Sequence, residues 1–257
     1  MSSISGVSSS YSSNYLYGKI ASGKSLQSSA DGAAELAISE KMNAQVRGLD
    51  QGADNVSSGS DAIKIQDSAL GDITEHLQRI RELALAASNS FTVSDEDKKI
   101  YQQEISQLKD SIAGVSNITS YNEKKLLDGS ADEMNIATDS NGTGVSISGT
   151  NATLEALGIA DFDVTKDFNI EDIDKAMDAV SKMRSDSGAK MNSLEHIYNI
   201  NKTGAYNLTA ADSRLEDLDM EKAVSKLDKQ RLLDTVNVMM QKRKEEDEQD
   251  RVRRIFQ

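Results

Sequence analysis

Residues 42–87 read MNAQVRGLDQGADNVSSGSDAIKIQDSALGDITEHLQRIRELALAA. Met42, Leu49, Val56, Ile63, Leu70, Leu77 and Ala84 recur every seven residues. Val46 and Ala53 add a second apolar row early, and Ile73, Ile80 and Ala87 later. A sustained heptad predicts a helix packed at a shallow angle along a narrow apolar seam. Extended over residues 31–88, it gives one helix about 87 Å long at about 1.5 Å per residue. Gly48, Gly52, Gly59 and Gly71 each weaken that helix by up to about 1 kcal/mol. The alternative to an unbroken helix is therefore a break near residues 58–60. The small Ala84 and Ala87 let a neighbour's backbone approach closely.

Working outward, residues 89–95 (NSFTVSD) form a turn, and Ser94 with Asp97 reads as a helix N-cap. The next helix carries Tyr101, Ile105, Leu108, Ile112 and Val115 at spacings of four and three, and should fold back antiparallel to the first. Met134 and Ile136, then Asn141-Gly142, then Val145 and Ile147 read as a β-hairpin, since Asn-Gly suits a turn with positive φ. Leu154, Leu157, Ile159, Phe162, Val164 and Phe168 form a small apolar cluster behind it. From Ile173 the three-four register returns through Ala176, Val180, Met183, Leu194, Ile197, Leu208, Ala211, Leu215 and Leu218, and places Ser187, Lys190, Asn201 and Gly204 in the seam. Polar residues in a seam cost stability and can fix register; the alternative for this stretch is a local helix break or a solvated run. Beyond Met220 the register slips, and Leu233, Val236 and Met240 resume it.

Composition agrees with thin helical seams. The 257 residues contain no proline and no cysteine, and are 37% hydrophobic and 4% aromatic. Absence of proline permits long helices, and absence of cysteine excludes disulfides and thiolate chemistry. A net charge of −13 disfavours nucleic acid and anionic membranes, which need a positive field. No apolar run is long enough for a membrane span, and the start lacks the pattern of a cleavable signal peptide. The fold expected is mostly α: a long antiparallel helical bundle or coiled-coil rod with a small β-hairpin region in the middle. Its segments are a Ser-rich arm at 1–29 with 12 serines and no acidic residue, helices at 30–125, the hairpin region at 126–170, a returning helix at 171–222 and a charged helix at 223–257. The arm reads either as disordered or as a segment that orders only on assembly, in which case Tyr11, Tyr15, Leu16 and Ile20 form a short apolar stripe. The last 18 residues hold six basic and five acidic residues before an apolar tip at Ile255 and Phe256.

The residues offer little for catalysis. His76 and His196 lack metal-ligand spacing and read as helix-surface residues. No phosphate loop, nucleophile elbow or dinucleotide fingerprint is present. Asp95, Glu96 and Asp97 cluster like metal ligands, but compensation of a helix N-terminus explains them more simply. No enzyme and no cofactor is expected.

Four stretches in order resemble bacterial flagellin: ASGKSLQSSADGAAELAISEKMNAQVRGL (21–49), LQRIRELALAASN (77–89), QQEISQLKDSIAGV with SYNEKKLLDG (102–129), and NLTAADSRLEDLDM (207–220). The resemblance implies a secreted filament subunit, exported through the flagellar type III channel, bound by an export chaperone beforehand and assembled into a homo-oligomer. It also implies assembly ends at Leu16, Ile20, Met239, Met240, Ile255 and Phe256. An innate immune Toll-like receptor would bind Arg79, Leu83 and Glu104, which lie off the seam positions 77, 80, 84, 105 and 108 and are expected to be exposed. The chain departs from the family at both ends: a serine-rich arm about a dozen residues shorter than usual, and KRKEEDEQD where the family is mostly uncharged. A modified inner tube or a minor, specialised subunit is expected on that ground. The rival readings are a hook–filament junction protein, a minor flagellin-like coiled-coil adaptor that forms no long filaments, a non-flagellar coiled-coil adaptor or export-system tip protein, and a flagellin with an enzymatic insert, for which the middle is too short.

Overall fold

The computed structural model describes residues 14–89, 91, 93–130, 133–147 and 149–255, without the Ile255 side chain. The expectations for Tyr11 and Phe256 lie outside the described residues. Residues 14–22 are helical. Then follow α1 (Ser29–Ala87), α2 (Asp95–Ile118), β1 (Ser120–Tyr121), β2 (Lys124–Lys125), β3 (Met134–Ala137), β4 (Gly144–Ile147), α3 (Ile170–Glu216) and α4 (Met220–Ile255). The chain is thus mostly helical, as its periodicity predicts, and the described residues form two small antiparallel strand pairs, one of them expected. α1 runs unbroken through residues 58–60, and its irregular residue is Gly32, in extended backbone near the helix start. Two compact units are present: Met1–Val46 with Tyr206–Gln257, and Arg47–Ala205.

In the unit Arg47–Ala205, ion pairs give the helix directions. Asp50 pairs with Lys202, Asp67 with Arg184, and Arg81 with Asp174. Rising numbers on α1 meet falling numbers on α3, so the two run antiparallel. The seam positions Val56, Ile63, Leu70, Leu77, Ile80 and Leu194 are all buried. A buried leucine or isoleucine of this kind is worth about 1.5–3 kcal/mol. One core cluster joins α1 residues 69–87 to Ile105 and Ile112 of α2, to Ile173, Ala176 and Val180 of α3, and to Leu157, Ile159, Phe162 and Val164 of the segment before α3. A second joins Val56 and Ile63 to Leu194 and to Ile147 of the hairpin. Of the polar and small seam residues, Ser187 and Asn201 are buried and bonded while Lys190 and Gly204 are half-buried: the Gln66 amide donates to the hydroxyls of Ser187 (3.4 Å) and Thr150 (2.6 Å), and the Asn201 amide to the carbonyl of Thr138 (2.6 Å).

The hairpin predicted around Asn141-Gly142 is β3–β4, pairing Met134 with Ile147 and Ala137 with Gly144. Gly142 has φ 82°, a left-handed conformation that glycine adopts freely. The connection is longer than a two-residue turn and is organised by Asp139, whose carboxylate accepts from the amides of Asn141 (2.9 Å) and Thr143 (2.8 Å). The pair β1–β2 was not predicted. Its turn residues, Asn122 and Glu123, both have positive φ (47° and 66°), as a type I′ turn requires.

The unit formed by Met1–Val46 and Tyr206–Gln257 has a thinner core, with Leu26, Ala223 and Leu227 buried. Two helix interruptions lie side by side in it. The Ser25 amide donates to the carbonyl of Glu216 (2.6 Å), the Leu218 amide to that of Gly23 (2.8 Å), and Lys24 pairs with Glu216 at 2.6 Å. Met42, Leu208 and Leu215 are half-buried there, as is Leu49 of the other unit. Leu233, Val236 and Met240 do not resume a buried seam; all three are exposed.

Candidate assembly and recognition surfaces

α4 carries two kinds of surface. Its first turns are anchored by Ala223 and Leu227. Beyond them Leu232, Leu233, Val236, Met239 and Met240 form an exposed apolar row, with Met239 60% exposed. Spacings of three and four put these residues on one stripe of the helix. An exposed contiguous apolar stripe of this kind marks an interaction surface. Residues 242–254 continue the helix as a fully exposed charged segment. The helical segment 14–22 belongs to the same unit. Leu16 and Ile20 are half-buried in it and Tyr15 and Tyr17 exposed. Arg231 of α4 lies 5.1 Å from the Tyr17 ring centre and donates to its hydroxyl. Lys19 stands over Tyr15 at 4.7 Å and pairs with Asp31 at 2.6 Å. The Met239–Met240 row is therefore exposed, the Leu16–Ile20 pair is partly covered, and Ile255 ends the described helix.

The second candidate surface lies on α1 and α2. Arg79 Nε donates to Glu104 Oε1 at 2.8 Å and Nη1 to Glu82 Oε2 at 3.1 Å. All three side chains are substantially exposed. These hydrogen bonds, the one to Glu104 foremost, raise the guanidinium's pKa. The guanidinium is thus held between two carboxylates, and its planar fork of donors is suited to recognising a polar partner. Leu83 corrects the expectation of exposure: it is 5% exposed and belongs to the main core cluster. The heptad marks a narrow seam, but here α2, α3 and the segment ending at Val164 together cover a wider arc of α1, and Leu83 falls inside it.

The glycines of α1 have a role that their helix propensity hides. A Cβ on Gly48 would strike Ser140, one on Gly52 the carbonyl of Thr138, and one on Gly59 the Ile136 side chain. Spacings of four and seven place the three on one face, a bare track on which the hairpin rests. Asn55 donates to the carbonyl of Ala137 at 3.0 Å. The signal available in sequence was the shared face of these glycines, read only as a weakness of the helix. At the start of α2, Ser94 and Asp97 form the predicted cap, each side chain bonding the other's backbone. His76 is half-buried and His196 exposed. No helix among the described residues is long and apolar enough to cross a membrane.

Comparison with known proteins gives a consistent result. The family model for the bacterial flagellin N-terminal helical region matches residues 5–132, and that for the C-terminal helical region matches residues 170–250. The flagellin of Bacillus subtilis is 36% identical over an alignment of 261 residues, covering 86% of each chain. The flagellin of Halalkalibacterium halodurans is also 36% identical, over 86% of this chain and 84% of its own. Among solved structures, Bacillus cereus flagellin aligns with a TM-score of 0.52 at 25% identity, covering 62% of this chain and 94% of that one. A putative flagellar hook-associated protein from Vibrio parahaemolyticus aligns with a TM-score of 0.60 over 72% of this chain and 99% of its own, but at 16% identity, which speaks for a shared fold alone.

Proposed function

The chain belongs to the bacterial flagellin family, and from that premise we propose that the exposed apolar row of α4 is where one copy joins the next. The protein is a structural subunit of the flagellar filament and not an enzyme. The observation that carries the assembly reading is the row Leu232, Leu233, Val236, Met239 and Met240, left open on a helix whose first turns are anchored. Immunogold labelling of intact flagella tests the role in the filament: label along the filament is expected, and label confined to the hook junction would favour the rival.

The charged segment 242–254 sets the terms of packing. Removing an ion from water costs several kcal/mol unless it is paired, so in a filament these side chains pair across copies or keep their water. This supports an inner tube that differs from that of relatives with uncharged ends. Before assembly the same α4 row needs cover, and an export chaperone binding this helix would supply it.

A Toll-like receptor of innate immunity is the second partner proposed, by family resemblance. Arg79 and Glu104 are its exposed contacts, and Leu83 acts beneath them as a packing residue. Binding to the receptor ectodomain should fall for Arg79→Ala and Glu104→Ala in protein that melts normally. Unchanged affinity in both would refute the assignment.

A further inference from the structure

We propose that Asn141-Gly142, in the connection of the hairpin, is a self-modifying site at which the folded protein converts asparagine to a mixture of aspartate and isoaspartate without an enzyme. The conversion has three requirements: an accessible asparagine side chain, a following residue without a Cβ, and a main-chain amide free to turn onto the side chain. The first two are met in the folded chain. Asn141 is exposed, and its side chain makes no hydrogen bond among the described residues. Gly142 presents no Cβ, and a Cβ built there would meet nothing within 4 Å. Its amide donates to the carbonyl of Asp139 at 3.3 Å and also faces the Asp139 carboxylate, so these contacts must open before the nitrogen can turn onto Asn141.

The atoms balance as follows. The deprotonated Gly142 nitrogen attacks Asn141 Cγ, the new C–N bond closes a five-membered succinimide, and the Cγ–Nδ2 bond breaks to release ammonia, which takes its proton from solvent. Water then adds to either ring carbonyl and opens it, giving aspartate or isoaspartate. Nothing is oxidised or reduced. Either product adds one negative charge to the net −13, and isoaspartate inserts an extra main-chain carbon.

Other asparagines in the same stretch make internal controls. Asn135 sits within β3, paired with Ser146, and is followed by isoleucine. Asn151 is followed by alanine and its side chain accepts from the Thr153 amide at 3.1 Å. The consequence is local and specific. Ser140 rests against Gly48, and the Thr138 carbonyl accepts from Asn201 at 2.6 Å, so an added main-chain carbon enters next to residues docked on the glycine track.

The test uses the purified full-length chain, incubated in warm, mildly alkaline buffer, digested under acidic conditions and read by fragmentation that separates aspartate from isoaspartate. The expected result is accumulation of both products at position 141, faster at higher pH, with Asn135 and Asn151 intact. Asn141→Gln should abolish the products and Gly142→Ala should slow them. Asn141 remaining intact in the folded chain while a synthetic 138–144 peptide converts would overturn the proposal. So would equal conversion at Asn135 or Asn151.

Discussion

Leu83 and Arg79 sit four residues apart on α1 and differ in what they do. Leu83 is core, so Leu83→Ala should cost about 2–5 kcal/mol, read as a lower urea midpoint. Arg79 is exposed between two carboxylates, and Arg79→Ala should leave the midpoint unmoved while weakening receptor binding. Any loss of binding in Leu83→Ala has to be weighed against its loss of stability. The glycines give a second contrast. A Cβ at Gly71 meets nothing, and Gly71→Ala should stabilise by up to about 1 kcal/mol through helix propensity. Gly59→Ala should destabilise instead, because the Cβ would overlap Ile136 and overpacking costs about 1–3 kcal/mol. Thermal melts of the two variants should move in opposite directions. Sequence could not separate these glycines, because the difference lies in what the hairpin brings against them from residues 136–140.

At the scale of elements, the helices and the main hairpin were legible because heptads and an Asn-Gly turn are local signals. The short β1–β2 pair was not, since its turn uses Asn122-Glu123 where glycine would be the usual signal. The cap on α2 was read correctly from Ser94 and Asp97, and Ser94→Ala should cost about 1 kcal/mol. The same contacts set a pH dependence. The Ser94 hydroxyl and amide hold the Asp97 carboxyl below its ordinary 3.8, and hydrogen bonds led by the hydroxyls of Ser130, Thr143 and Thr165 do the same for Asp128, Asp139 and Asp163. A carboxylate with a lowered folded pKa contributes stability that is present above its unfolded pKa and is lost as pH falls through the folded one. Amide exchange at the start of α2 and in these turns should therefore quicken on acidification below about pH 4, before the buried seam opens. Exchange that is unchanged there until global unfolding would contradict this.

For the whole molecule, charge and apolar surface are unevenly distributed. The last 18 residues sum to +1 (six basic minus five acidic), so the other 239 carry −14. The heptad arithmetic assigned Leu233, Val236 and Met240 to a buried seam, yet the single chain leaves them open. Periodicity reveals that a helix has an apolar face but not whether the same chain or another copy covers it. Here the cover is another copy: the chain is completed by copies of itself through its terminal helices. Seeded polymerisation followed by sedimentation tests it most directly, comparing the unaltered chain with the Met239→Asp/Met240→Asp variant. The unaltered chain should add to flagellar seeds and pellet, while the variant, melting normally, stays in the supernatant. An unaltered chain that stays in solution, or a variant that pellets equally well, would contradict the account.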